Sequence, residues 1–300
     1  MREPQSTPNR GNTVVQTRRM SSTTPPTVYR RIIAARLRQL RGSRSQSEIE
    51  QACSLRGNAI SRYESCDSSM SELIARTVFA YLGVEGDELD ALADIARRGR
   101  RRSSSAAVHT APDWLQQLLV LERDASQILE VALTVVPGLL QTKPYATAIV
   151  SAGSPDHVDE YVAARIERQA ILDGDVQMWA VIHEGALRRE VGGAEVMAEQ
   201  VRHLIDMAQR SNVNLTVVPN AHGAHRGMVT SFKILGFPME PAYRIAYTEH
   251  MTGALYVDDP AEVAEFEDAY RHVAASGLAK GQALQRLNQI AKDYEDDQST

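Results

Sequence analysis

Several things are scarce in this 300-residue chain. Cysteine is limited to Cys53 and Cys66, too few for a disulfide framework; two reduced thiols in a cytoplasmic protein is the reading. Aromatic residues make up 5% of the chain, so its core must be mainly Leu, Val, Ile, Ala and Met. No run approaches the roughly 20 apolar residues of a membrane helix. The N-terminus lacks the apolar segment of a signal peptide. No Gly-rich phosphate loop and no Gly-x-Ser-x-Gly elbow occurs. His183-Glu184 is followed by Leu187 where a zinc hydrolase needs a second histidine. His222 and His225 stand three apart in a Gly-rich loop, and Gly227 denies a His-x-Lys pair. These absences argue against an enzyme, and no metal or cofactor is expected.

Lysine is also absent from residues 1–110, which hold eighteen arginines against eleven acids, a net +7. Residues 111–300 carry a net −12. A basic head on an acidic body suggests that only the head seeks a polyanion.

Residues 1–27, rich in Ser, Thr, Pro and Arg, read as a disordered tail. A helix is expected over 28–41, with Ile32, Ile33, Leu37 and Leu40 inward and Arg30, Arg31, Arg38 and Arg41 outward. Ser45 and Glu48 then form a capping box opening a short helix with Ile49 and Ala52 on one face. A second helix, Arg56–Glu64, buries Ala59, Ile60 and Tyr63 and leaves Arg56, Asn58, Ser61 and Arg62 outside. Two more helices follow, near 71–82 (Leu73, Ile74, Val78 and Tyr81 inward) and 86–97. Residues 98–111, basic and Ser-rich, read as a linker between a domain at 28–97 and one at 112–297.

In the second domain a long helix is expected from Asp113 to about Val135, and Pro137-Gly138 forces a turn. Helices follow near 142–153 and 154–173, the latter with Arg165 and Arg168 free for polar partners. Strand 176–183, helix 194–210 and strand 213–218 make a parallel crossover unit. Further strands are expected at 229–235, 244–248 and 254–257, before two closing helices. The fold class is therefore a five-helix DNA-binding domain joined to an α/β domain with a mixed β-sheet flanked by helices. Glu184, Arg188, His222, His225, Arg226 and Glu249 are candidates for a ligand or partner site at one sheet edge.

The Gln46…Ala59-Ile60-Ser61-Arg62-Tyr63-Glu64 pattern resembles the Xre/Cro-type helix-turn-helix regulators. The resemblance implies that Gln46, Arg56, Gly57, Asn58, Ser61 and Arg62 contact double-stranded DNA and that Glu64 is structural. Glu50 and Ser54 depart from the small alanine and the turn glycine usual there. Val136-Pro137-Gly138-Leu139-Leu140-Gln141-Thr142, Tyr145-Ala146, Arg165…Arg168-Gln169, His183–Arg188, Gln200, Val217-Val218-Pro219 and Tyr247-Thr248-Glu249 resemble the C-terminal domain of WhiJ-type actinobacterial regulators. That resemblance implies a transcriptional regulator, a homodimer on two-fold operators, and an association with a small acidic protein encoded nearby. An antitoxin-like protein sequestering its partner through the C-terminal domain is the alternative.

Overall fold

The computed structural model describes residues 28–100, 113–237, 243–251 and 253–297. The expected tail and residues 101–111 of the expected linker lie outside them.

Five helices open the described chain: α1 Val28–Arg41, α2 Gln46–Ala52, α3 Ala59–Glu64, α4 Glu72–Tyr81 and α5 Gly86–Arg98. Ile33, Leu37, Ile49, Ile60, Val78 and Phe79 meet in their core. Two inward assignments on α4 fail: Leu73 is 75% exposed and Tyr81 42% exposed, and the helix instead buries Ala75, Val78 and Phe79. The arginines of α1 are not free either. Arg30 donates to Gly99 O and Arg41 to Glu64, while Arg31 and Arg38 approach Asp258 at 3.9 and 3.6 Å.

The tight unit around α2 and α3 is built by Glu50 and Ser54, the two residues that depart from the pattern it resembles. Glu50 is buried, and its carboxylate accepts from Asn58 N (3.2 Å) and Ile60 N (2.9 Å). It therefore takes over the N-terminal capping of α3, where Asn58 makes no side-chain cap. Ser54 has φ 55°, the left-handed region that glycine enters at no steric cost. Ser54→Gly is accordingly expected to raise the stability of the full chain by about 1 kcal/mol, read from its urea midpoint. A change of sign would show that the Ser54 hydroxyl holds the turn.

The second part is a six-stranded mixed sheet in the order β3-β2-β1-β4-β5-β6. Its strands are β1 Gln127–Ala132, β2 Gln177–His183, β3 Val213–Val218, β4 Phe232–Phe237, β5 Tyr243–His250 and β6 Gly253–Val257. β1, β2 and β3 run parallel; β4, β5 and β6 add on antiparallel. Helices α6 Asp113–Asp124, α7 Lys143–Gly153, α8 Val158–Gln169, α9 Glu184–Arg188, α10 Ala194–Met207, α11 Pro260–Ala275 and α12 Lys280–Asp297 complete it.

One expectation is overturned here. The helix from Asp113 ends at Asp124, and β1 occupies the centre of the sheet where the helix was to continue. Leu118, Leu121, Ile128 and Leu129 keep near-helical spacing across the break, and Leu, Glu and Ala in the strand are helix formers. Pairing with β2 on one side and β4 on the other outweighs that local preference. One sheet face meets a core containing Leu118, Leu139, Met197 and Leu204. The other is covered by α11 through Val263, Phe266 and Val273.

Candidate functional site

The site is built around two charged residues inside otherwise apolar strands. Glu130 interrupts Ile-Leu-Glu-Val-Ala in β1, and Lys233 interrupts Phe-Lys-Ile-Leu in β4. The two are in register, and the same row continues to Tyr247 on β5 and Tyr256 on β6. Because side chains alternate along a strand, all four rise from one face.

A charged residue so placed must be paired. Lys233 Nζ lies 3.0 Å from Glu130 Oε2 and donates at 3.1 Å to Glu122 Oε1 from α6. Glu122 is completely buried, and Arg168 Nη1 of α8 stands 3.4 Å from its second oxygen. Burial pulls the Glu122 carboxyl up, but Arg168 and Lys233 outweigh it and hold the group below the usual range. Glu130 goes the other way. Burial raises it, and the neighbouring Glu122 adds to the rise against Lys233. Burial works against the Lys233 ammonium, yet its two carboxylates raise it overall.

This cluster forms the floor of a cavity of about 500 Å³, within the range of small-molecule sites. The cavity opens at the carboxyl end of β1, beside the start of β4 and the end of β5. Its wall is the segment 136–142, and that wall explains the sequence motif there. Gln141 Nε2 donates to Val136 O (2.8 Å), and Gln169 Nε2 donates to Gly138 O (3.0 Å) and Gln141 O (2.7 Å). Gln200 donates to Leu140 O and accepts from Thr142 N, both at 2.8 Å. The Tyr145 hydroxyl accepts from Val136 N. At Gly138 a Cβ would meet Arg168 Nη2, so a larger residue there must displace that end of the guanidinium.

On the same wall, Arg165 Nη1 donates to Gln141 Oε1 at 2.8 Å. Opposite, the Tyr247 hydroxyl donates to Glu249 Oε1 at 2.6 Å. The rim is apolar: Val135, Met228 and Val229 line the mouth and are 36%, 53% and 91% exposed.

The six expected edge residues do not converge. Glu249 alone lines the cavity. Glu184 is buried and accepts from Arg188 Nε, Arg286 Nη1 and Asn220 N, so Glu184 and Arg188 tie α9 to α12 and to the loop after β3. Arg226 pairs with Glu265 and Asp268 on α11. The rings of His222 and His225 are tilted against each other with centres 6.3 Å apart, and His183 lies 5.7 Å from His225. Both His225 nitrogens are buried without a partner among the described residues, and burial followed by its two histidine neighbours lowers its pKa. Among the described residues no group of three His, Cys, Asp or Glu side chains is arranged to hold a metal ion.

In the head, Arg56, Gly57, Asn58 and Arg62 are exposed and Ser61 is half-buried. The helix expected from Arg56 starts at Ala59, because Asn58 adopts φ 62°. Gln46 is half-buried, and its Nε2 donates to Glu64 Oε2 at 2.7 Å.

The family model of DUF5753, a domain of unknown function, matches residues 115–289. The chain belongs to that family. The DUF5753 match takes in the whole sheet, the cavity and its charged floor. No curated protein and no solved structure matched the chain. Among the described residues no helix is long and apolar enough to cross a membrane. Sequence reasoning passed over Glu130 and Lys233 in the DUF5753 domain. The signal was there: an isolated charge within a short apolar strand, which burial allows only with a partner.

Proposed function

We propose that the chain is a sequence-specific DNA-binding transcriptional regulator of the Xre/Cro helix-turn-helix type, whose WhiJ-like C-terminal domain houses an effector cavity. The observation that carries the DNA reading is the α2–turn–α3 unit. Its apolar residues Ile49, Ile60 and Tyr63 are buried, while Arg56, Asn58 and Arg62 stand exposed beside one another. Such side chains reach base edges and phosphates in a major groove. The net +7 of residues 1–110 adds the attraction to phosphate.

In this mechanism α3 and the turn before it enter the groove. Glu64 holds one Gln46 amide hydrogen, leaving the other for a phosphate. Arg30, Arg31, Arg38 and Arg41 are engaged within the protein and are not assigned to phosphates. A homodimer on a two-fold operator is the natural arrangement. A concave cavity of this size with a polar floor favours a small molecule over a protein as the effector.

The test is selection from a random duplex pool at physiological salt. The full chain should enrich one motif, and Arg62→Ala or Asn58→Ala should relax the preference by about 1–3 kcal/mol per specific contact. Failure of the wild-type chain to enrich any motif would sink the proposal.

A further inference from the structure

We propose that the cavity takes an amphipathic monoanion, a carboxylate head on Arg165 with an apolar body along Val135, Met228 and Val229. This rests on reading the cavity as an effector site.

The charges of the site identify the head. Lys233 is held between Glu122 and Glu130, and Arg168 is committed to Glu122. Arg165 is different. Its bond goes to a neutral amide oxygen, and no carboxylate lies within ion-pair distance of it among the described residues. Its Nε and Nη2 carry no hydrogen bond there, which leaves one edge of the guanidinium fork open. A planar carboxylate fits that edge with two parallel bonds. Arg165 also stands one helical turn from Arg168, so the two cations repel. Burial and then Arg168 lower the Arg165 pKa to about 10. An anion beside Arg165 relieves both effects.

The carboxylates in the wall act on Arg165 only from beyond ion-pair distance: Glu249 and Glu122 pull its pKa up, yet burial and Arg168 outweigh them. Glu122 and Glu130 share Lys233, and Glu249 is exposed at the mouth and takes the Tyr247 hydroxyl. The rim identifies the body. Val229 and Met228 are among the most exposed large apolar side chains of the described residues, and both face the mouth. An apolar chain laid across them removes that surface from water.

The experiment is calorimetric titration of the full chain with decanoate, decan-1-ol and decylamine, each below its aggregation limit. Decanoate should bind with one-to-one saturation, and the alcohol and the amine about tenfold or more weaker. Arg165→Met should weaken decanoate by a similar factor and leave the alcohol unchanged. Val229→Ser, at an exposed position that folding does not need, should weaken decanoate severalfold. Equal binding of decanoate and decanol, preference for decylamine, or decanoate binding indifferent to either substitution overturns the proposal. Should decanol or decylamine bind in a Val229-dependent way while decanoate does not, the effector cavity stands and the anion falls. Absence of binding by all three probes removes both, while the duplex selection tests the head separately.

Discussion

Lys233→Met is expected to lower the unfolding free energy of the full chain by about 3–5 kcal/mol, the cost of leaving buried charge uncompensated. The residue is almost fully buried and is the shared partner of Glu122 and Glu130. Methionine fills similar volume, so the loss is electrostatic rather than a packing defect. Glu130 of the sheet and Glu122 of α6 would then be left without their shared cation, with Arg168 as the remaining cation on Glu122. The double variant Glu130→Leu, Lys233→Met provides the control. It removes one charge of each sign and leaves the Glu122–Arg168 pair in place, and buried ion pairs replaced by apolar side chains are commonly neutral or stabilising. Urea unfolding of both variants checks this. A single variant within about 1 kcal/mol of the parent would mean that the floor is hydrated and its charges are not buried together.

Glu50→Ala should cost about 2–3 kcal/mol and weaken DNA binding as well, because it strips the amides of Asn58 and Ile60 of their acceptor. The Ile60 amide is buried and has no water to turn to. The turn that presents Arg56, Asn58 and Arg62 then loses its anchor. Glu50→Gln keeps one acceptor oxygen and should recover part of both losses. The measurements are thermal unfolding and affinity for the selected duplex. A stability loss without any change in affinity would separate the capping role from the presentation of the turn.

Much of the fold is legible in the sequence because pattern and environment agree. Val213–Val218 alternates as a strand should, and Ser45, Ser71, Thr142 and Asp259 each cap the helix that follows them. β1 is hidden because its local preference is helical and only its neighbours make it a strand. The α4 stripe misleads because Leu73 and Tyr81 lie on the solvent side, which spacing alone cannot orient. The candidate site is the least legible part. Its residues come from α6, β1, α8, β4 and β5, and nothing within any one segment states that Glu122, Glu130, Arg168 and Lys233 meet. The reading that grouped Glu184, Arg188, His222, His225, Arg226 and Glu249 at one edge shares only Glu249 with the cavity. It could not see that Glu184 and Arg226 already spend their charges on Arg286 and Asp268.

The wall at 136–142 is fastened by the amides of Gln141, Gln169 and Gln200 together with one tyrosine hydroxyl. None of the amides titrates, and neutral hydrogen bonds are little affected by added salt. The head is fastened differently, through the ion pairs Arg41–Glu64 and Arg36–Glu88, and the grip on a phosphate backbone proposed for it would weaken as counterions accumulate. Rising ionic strength would thus loosen the proposed grip of the head while leaving this stretch of the cavity wall in place.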